Sequence, residues 1–403
     1  MTPTSRSGER TPSSVPLAVI AGLFLASLAL RPQLLAIGPL LPLIREDLGL
    51  SASIAGLLTT IPVLCMGIFA PIGPRVAARL GPHRAFAVFL ATIIGFGFLR
   101  TLGDGPVPVI IATFGIGVGI GMAGAVPSMV VSTRLPTRPA LGTGAYAAGI
   151  VAGSTLAAGV AVPLALDGDW RLSLAVLSIA SIASLGAWLV LVPGDQNAVG
   201  ARRPPARRLP WGSSTAWLLV AVFGLQSILF YGVVAWLPNV YVERGWSPAD
   251  AGSLVAIFNG VGLITTISVP LVADRLGRRR PQLLLSSVAS VLALGGLILV
   301  PDLAYLMVAI LGLALGIVFP LSLTLPLDVS DDATTVGSVA ALMLFGGYIL
   351  SSVGPVALGV ARDLSGDFAA SLGLLLVVNV TLVGSVALLS PERLRRGVGR
   401  TGA

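Results

Sequence analysis

The sequence contains no lysine, a single cysteine and a single histidine, and only 10% of its 403 residues are charged. The lone cysteine, Cys65, excludes a disulfide framework and a cysteine cluster for a metal. Soluble domains carry about 25% charged residues, so the shortage of charge excludes a water-soluble protein. No nucleophile with a base and no pair of catalytic carboxylates stands out, and we therefore expect no enzymatic activity, no metal and no cofactor.

Long apolar runs fill the chain instead. Hydrophobic residues make up 55% of the sequence, and its mean hydropathy is +0.95. A helix of about 20 apolar residues crosses a bilayer, and we predict an all-α membrane protein with twelve transmembrane helices in two six-helix bundles. The spans are predicted over residues 15–43, 52–73, 84–102, 107–131, 139–166, 172–193, 214–240, 249–273, 282–300, 303–326, 334–360 and 368–390.

All 25 basic residues are arginines, and the formal net charge is +8. If the N-terminus lies in the cytoplasm, nineteen arginines fall on the cytoplasmic side and Arg31 falls within a span. Five fall on the outer side, namely Arg45, Arg100, Arg171, Arg244 and Arg362. Membrane proteins keep positive residues on the cytoplasmic side, so we predict a multi-pass membrane protein with both termini cytoplasmic. The positive charge then needs no nucleic-acid partner.

Two sequence matches at one offset divide the chain into halves. LPLIREDLGLSAS matches LPNVYVERGWSPA, and VAARLGPHR matches VADRLGRRR, in each case 196 residues further along the chain. Parallel repeats of this kind are related by an axis along the membrane normal. We therefore expect an N-terminal six-helix bundle over 1–193, a basic cytoplasmic linker over 194–213 and a C-terminal six-helix bundle over 214–403.

The loop VADRLGRRR resembles the signature of the major facilitator superfamily, found between helices 2 and 3 and again between helices 8 and 9. The segment LRPQLLAIGPLLPLIREDLGLS is similar to the first helix of the bacterial cyanate and 2-nitroimidazole porters. The resemblance implies the major facilitator fold, alternating access and a charged gating motif. The motif positions here are Arg79, Arg84, Asp274, Arg275, Arg278 and Arg279, and Ala78 replaces the acid in the first copy.

Arg31 stands inside the first predicted span, in LALRPQLLAIGPLLP, with no acidic residue near it. All 17 acidic residues fall in predicted loops, span ends or tails. A buried guanidinium cannot lose its proton and must find acceptors. A transported anion would supply them, because the planar N–H fork suits small planar anions. Alternatively, Arg31 bonds polar side chains, water and backbone carbonyls such as that of Leu28, which Pro32 leaves without a donor.

Neutral polar residues on other spans are further candidates for binding the substrate. The 196-residue offset pairs Arg31 with Ser227, which neighbours Gln226. Helices 1 and 7 line the cavity in the superfamily, which implies that these positions face each other. The remaining candidates are Tyr231, Asn259, Tyr146, Tyr348 and Ser351. Each of these residues also fits a hydrogen bond between helices without a role in binding.

The sequence favours a secondary active or facilitative transporter for a small anion or weakly acidic small molecule, such as cyanate or a nitro-heterocycle, with Arg31 as the central charge. A drug or multidrug efflux pump for amphipathic compounds is the alternative, although the fifth span lacks the glycine–proline pair typical of such antiporters. The expected partners are a small anionic substrate and the lipid bilayer, with a monomer as the simplest assembly. Because Asp, Glu and His are absent from the interior of every predicted span, the coupling ion stays open.

Overall fold

The structure is a computed structural model that describes residues 15–124, 126–135, 138–165, 169–194, 209–276, 279–330, 332–390 and 394. The regular secondary structure of these residues is entirely helical. The α-helices are α1 (Val15–Ser27), α2 (Pro32–Leu35), α3 (Ile37–Leu48), α4 (Ala52–Phe69), α5 (Gly73–Leu80), α6 (Pro82–Thr101), α7 (Pro106–Ala123), α8 (Val126–Arg134), α9 (Pro139–Leu164), α10 (Trp170–Leu191), α11 (Ser214–Glu243), α12 (Pro248–Leu276), α13 (Arg279–Leu299), α14 (Ala304–Thr324), α15 (Ala333–Ser365) and α16 (Ala369–Ala387).

Twelve helical segments of the described chain are long and apolar enough to cross a membrane. This confirms the predicted all-α membrane fold. Two of the predicted spans consist of more than one helix. The first, predicted over 15–43, consists of α1, α2 and α3 and extends to Leu48, and the fourth, predicted over 107–131, is divided into α7 and α8.

Pro32 explains the break in the first span. A proline has no N–H and its ring collides with the preceding turn, so a helix cannot continue through it without a bend. The chain accordingly leaves the helix after Ser27 and restarts at Pro32. The carbonyl oxygen of Arg31 accepts the N–H groups of Leu34 and Leu35, both at 3.0 Å, and so begins the new turn. Arg31 therefore stands at the break, near the middle of the Leu17–Leu48 span.

The internal repeat is visible as repeated loop geometry. Gly49 and Gly245, 196 residues apart, both have positive φ angles of 61° and 89°. These angles are accessible to glycine at little cost and end a helix sharply. Ser51 then accepts the N–H of Ile54 at 3.3 Å, and Ser247 accepts the N–H of Asp250 at 3.1 Å. The two halves thus begin their second spans in the same way.

Close contacts join the two halves near the distal face, by which we mean the face at which α3 and α11 end. The opposite face, at which α1 begins and α16 ends, is called the proximal face. Gly38 of α3 lies so near α11 that an added Cβ would stand 1.8 Å from the carbonyl oxygen of Val234. Gly56 of α4 approaches α15, where an added Cβ would stand 2.7 Å from the carbonyl oxygen of Pro355. The distal side is therefore closed.

Polar contacts reinforce this closure. Asp363, in the last turn of α15, accepts the N–H groups of Ala52 and Ser53 at 3.0 and 2.8 Å, at the start of α4 in the other half. Arg45 Nη1 donates to Asn239 Oδ1 at 3.2 Å, also from one half to the other. A carboxylate at a helix N-terminus bonds free N–H groups and is favoured by the helix dipole. Asp363 consequently stabilises the conformation in which the distal face is closed.

Replacing Asp363 with alanine is expected to weaken distal closure by about 1 kcal/mol, which raises the population with an open distal face roughly fivefold. Distances between spin labels at positions 46 and 302, one in each half, measure this population. Asp367→Ala is the matched control, because Asp367 accepts the N–H of Ala369 within its own half at 2.9 Å. Equal distance distributions in Asp363→Ala and the control would contradict the assignment.

One arginine does not behave like the other outer arginines. The sequence places Arg100 at the outer end of the third span, and the structure has it there, in the last turn of α6. However, its side chain is 0% exposed. Arg100 is therefore a buried cation at the outer end of its span, where the sequence analysis placed it without indicating its burial. The helical pattern around Arg100 does not reveal which side of α6 faces the neighbouring helices.

Candidate functional site

A cavity lies between the two halves at mid-depth. Its volume is about 100 Å³. Its walls come from α9 and the break in the first span on one side, and from α11, α12, α14 and α15 on the other. The lining reaches from mid-depth towards the proximal face, while Gly38 and Val234 close the distal side. Sites of this kind are enclosed, mostly apolar and carry a few polar groups.

Arg31 contributes the charge of this cavity. Its side chain lines the cavity, and Nη1 donates to the hydroxyl of Tyr231 at 2.7 Å. The Tyr231 hydroxyl in turn donates to Met66 Sδ at 3.8 Å. The hydroxyl of Tyr348 also interacts with the guanidinium. The described partners of Arg31 are therefore hydroxyl groups, which leaves its positive charge without a carboxylate among the described residues.

The C-terminal half presents neutral polar groups to the same space. Gln226, Ser227 and Asn259 all line the cavity and are at most 6% exposed. Gln226 Nε2 donates to Ser227 Oγ at 2.8 Å, and Asn259 Nδ2 donates to the carbonyl oxygen of Val255 at 3.0 Å. The expectation that Arg31 and Ser227 face a common cavity agrees with this placement. One half thus supplies the cation and the other supplies hydrogen-bonding groups.

Aromatic side chains form much of the remaining wall. Phe230, Phe258 and Phe319 line the cavity from α11, α12 and α14. The rings of Phe230 and Phe258 are 5.6 Å apart and tilted by 39°, and the ring of Tyr231 stands edge-on to Phe230 at 5.2 Å. Sequence analysis missed these phenylalanines. Two of them directly precede a predicted polar residue, and that adjacency is the signal that could have revealed them.

Two predicted candidates lie outside the cavity lining. The Tyr146 hydroxyl is 3.3 Å from Ser128 Oγ, within the N-terminal half. Ser351 Oγ donates to the carbonyl oxygen of Tyr348 at 3.0 Å, on its own helix. The five other candidates, Arg31, Gln226, Tyr231, Asn259 and Tyr348, line one cavity. Ser154 and Thr266 also line it and were not predicted.

The predicted gating motif is described only in part, and its N-terminal copy lies at the proximal face. Arg79, in the last turn of α5, and Arg84, in the first turn of α6, are both exposed. Asp274 and Arg275 belong to α12 and Arg279 begins α13, but their side chains lie outside the described structure, as does Arg278 altogether. Residues 195–208 of the predicted linker also lie outside the described residues.

The described part of the chain contains no cluster of side chains of the kind that binds a metal ion. No group of three or more His, Cys, Asp or Glu residues stands close enough there to hold an ion. The residues that line the cavity are suited to a small molecule instead, because they combine one cation, several hydrogen-bonding groups and apolar rings.

Comparison with known proteins decides the family. The family model described as the Major Facilitator Superfamily matches residues 18–355. The chain belongs to this superfamily. The cyanate transport protein CynX of Escherichia coli (strain K12) is 31% identical over 348 residues, which cover 86% of this chain and 90% of that protein. The 2-nitroimidazole transporter of the same strain is 29% identical over 378 residues, covering 92% and 93%.

Solved structures of other transporters share the fold. A crystal structure of a D-xylose–proton symporter matches with a TM-score of 0.77 at 17% identity, covering 94% of this chain and 99% of the symporter chain. Membership makes this protein a multi-pass integral membrane transporter for a small molecule. In a transporter of this superfamily, a cavity between the two halves is the place where a substrate contacts both of them.

Proposed function

We propose that this transporter moves a small anion or a weakly acidic small molecule, and that Arg31 is the central charge that binds it. One observation carries the proposal. The guanidinium lines the cavity between the halves, and its described side-chain partners are hydroxyl groups rather than carboxylates. A cation at mid-depth of a membrane protein is costly when nothing neutralises it. An anionic ligand removes this cost and is therefore favoured over a neutral ligand of the same shape.

The walls of the cavity favour a small planar ligand. The guanidinium of Arg31 presents coplanar N–H donors that match flat anions. The rings of Phe230 and Phe258 offer apolar surfaces beside it. The names of the two bacterial relatives, which refer to cyanate and 2-nitroimidazole, agree with a ligand of this size and shape.

The proposed mechanism is alternating access. Distal contacts between the halves close one side, and the cavity lining extends towards the proximal face. In the orientation that the arginines favour, the proximal face is cytoplasmic and both termini lie in the cytoplasm of a bacterial cell. Rocking of the halves about the bound ligand would open the distal side. The proposal includes both secondary active and facilitated transport. A weakly acidic ligand can carry a proton across the membrane itself, so that coupling to protons needs no proton-binding group of the protein.

Efflux of amphipathic compounds is the second candidate function. The phenylalanine side chains of the cavity favour it, because they would also accommodate a lipophilic molecule. A lipophilic cation would meet the positive charge of Arg31 in a poorly solvated space, where like charges repel strongly. An efflux pump for such cations would therefore require Arg31 to be neutralised by another group.

A binding experiment on the purified protein separates these functions. Thermal unfolding is measured with cyanate, nitrate, 2-nitroimidazole, benzoate and tetraphenylphosphonium, because a ligand that binds only the folded state raises the unfolding temperature. At least one of the anions or the weak acid is expected to stabilise the wild type. Arg31→Gln is expected to weaken its binding by about tenfold to a hundredfold, since charge-assisted hydrogen bonds are lost. The affinity of Arg31→Lys for the anion should lie between those of the wild type and Arg31→Gln, because lysine keeps the charge but lacks the planar set of N–H donors.

Arg171→Gln is the matched control, because Arg171 does not line the cavity and forms a 2.6 Å ion pair with Asp47. It is expected to bind the anion as the wild type does. The proposal fails if the anions stabilise Arg31→Gln as much as the wild type. Stabilisation by tetraphenylphosphonium alone, unchanged in Arg31→Gln, would instead establish the efflux function.

A further inference from the structure

Arg100 is a buried cation that the binding cavity does not use. Its Nη2 donates to the carbonyl oxygen of Gln33 at 2.9 Å and to Oε1 of the same residue at 2.5 Å. Gln33 Nε2 donates onward to Ser178 Oγ at 2.8 Å and to the carbonyl oxygen of Leu174 at 3.2 Å. One guanidinium thereby joins α6 to the short helix α2, and Gln33 joins α2 to α10.

This arrangement is costly for the fold. Arg100, Gln33 and Ser178 are at most 1% exposed, and Nε and Nη1 of Arg100 have no hydrogen-bond partner among the described residues. Gly97 leaves room for the hydrogen bond between Gln33 and Ser178, because an added Cβ at position 97 would stand 2.7 Å from Ser178 Oγ. A buried cation with unmet hydrogen bonds destabilises a protein, and apolar residues of similar volume would pack at lower cost. Stability alone therefore does not account for Arg100.

The place at which Arg100 bonds suggests its role. Gln33 follows directly after Pro32, in the single turn of α2 that restarts the broken span. A helix of one turn is unstable by itself and needs contacts from its surroundings. Arg31 and Gln33 are two residues apart, so their side chains leave the backbone in different directions, one to the cavity and one to α6 and α10. Fixing Gln33 consequently fixes the backbone that carries Arg31.

The C-terminal half provides an internal comparison. Its corresponding helix, α11, runs without a break from Ser214 to Glu243. At the 196-residue offset, Leu229 replaces Gln33 and Gly296 replaces Arg100. The half without a break therefore lacks the buried arginine and its glutamine. The two features occur together in the N-terminal half, as expected if one supports the other.

We propose that Arg100 is a positioning residue that acts through Gln33. It holds the interrupted segment 28–36 against α6 and α10 and so determines where the Arg31 guanidinium stands in the cavity. The effect on segment 28–36 is independent of any ligand. The consequence for anion binding rests on the proposed function.

Amide hydrogen exchange of the peptide 28–36 tests the first part without a ligand. The informative protein is the double variant Arg100→Leu with Gln33→Leu, since it leaves neither polar side chain of the pair buried without its partner, and only the carbonyl oxygen of Gln33 loses a donor. We expect its unfolding temperature to stay near that of the wild type, while exchange of 28–36 rises about tenfold. The control is Ser290→Ala with Asn379→Leu, which removes a buried 2.8 Å hydrogen bond between α13 and α16. It should leave exchange of 28–36 unchanged.

Several outcomes would overturn the proposal. Wild-type exchange of 28–36 in the double variant excludes a positioning role, and a uniform rise over the whole N-terminal half shows a structural role only. If the double variant does not fold, Arg100→Lys decides, since it keeps the charge but its shorter side chain cannot place the ammonium where Nη2 of Arg100 meets both Gln33 acceptors. In Arg100→Lys we expect amide exchange to rise about threefold, and only in residues 28–36. Exchange equal to that of the wild type in this variant rejects the proposal.

Anion binding distinguishes this inference from the proposed function. The anion that stabilises the wild type should bind the double variant about tenfold more weakly, because a displaced guanidinium loses its alignment with the ligand. Unchanged anion affinity together with raised exchange would overturn the effect on Arg31 while leaving Arg31 as the anion-binding charge. If no anion binds the wild type, the proposed function fails, and the exchange measurement still decides the role of Arg100.

Discussion

Gly38→Ala is expected to reduce the population with a closed distal face by more than about a hundredfold, and transport with it. The added Cβ would stand 1.8 Å from the carbonyl oxygen of Val234, whereas contacts below 3.0 Å essentially do not occur. The colliding atom belongs to the backbone of α11 and cannot rotate away. α3 and α11 must therefore move apart, which opens the side that alternating access needs to close.

Spin-label distances between positions 46 and 302 report the closed population, and uptake of the stabilising anion into proteoliposomes reports transport. Gly159→Ala is the matched control, since Gly159 also lies between the halves but an added Cβ meets Ala256 Cβ at an ordinary 3.7 Å. It should behave as the wild type. Closed distances and full uptake in Gly38→Ala would show that this contact does not govern closure.

Gly153→Ala is expected to destabilise the folded protein by about 3 kcal/mol and to abolish anion binding by the part that still folds. An added Cβ would stand 2.1 Å from the carbonyl oxygen of Leu28, directly at the break in the first span. Gly149, four residues earlier on α9, makes a similar approach, with an added Cβ 2.3 Å from the carbonyl oxygen of Phe24. Glycines spaced in this way let two helix backbones meet closely. The substitution therefore pushes the break, and Arg31 with it, away from α9.

Thermal unfolding and the anion-dependent stabilisation measure these two effects. Gly144→Ala, on the same helix, is the control, because an added Cβ there has nothing within 4 Å. It should leave both quantities unchanged. A Gly153→Ala protein that unfolds at the wild-type temperature and binds the anion normally would disprove the importance of this contact.

The two halves contribute differently to the cavity. The N-terminal half brings the charge of Arg31, held at a break between α9 and the Arg100–Gln33 contact. The C-terminal half brings neutral polar groups and phenylalanines from continuous helices. The 2.7 Å bond from Arg31 to Tyr231 already joins the halves. An anion on the guanidinium would compete for the same N–H groups and could thus link binding to the movement of the halves.

Much of the fold was predictable because apolar length determines a membrane helix. The predicted span 214–240 corresponds to α11, Ser214–Glu243, and the predicted span 172–193 corresponds to α10, Trp170–Leu191. The break at Pro32 was less accessible. The sequence shows the proline and the carbonyl it deprives of a donor, but a proline in a span also fits a mere kink.

The candidate site could be predicted in part, where the cost of burying a charged group marks a residue. A cation in an apolar run signals a need for acceptors, and Arg31 indeed lines the cavity. Tyr146 and Arg100 show the limit. A polar residue on a helix faces a cavity or a neighbouring helix according to the rotation of that helix, and Tyr146 faces Ser128. Arg100 stands near a helix end, where the sequence pattern is the same for a buried and an exposed side chain.

The sequence by itself determined the twelve apolar spans, the 196-residue repeat and the presence of a cation in the first span, because hydropathy and charge are properties of single segments. Only the tertiary structure decided which candidates share one cavity, which side of the molecule is closed and that Arg100 bonds Gln33. These features depend on how each helix is rotated and how closely its backbone approaches the next. Such approaches involve residues far apart in the chain, and the pattern within one segment carries no record of them.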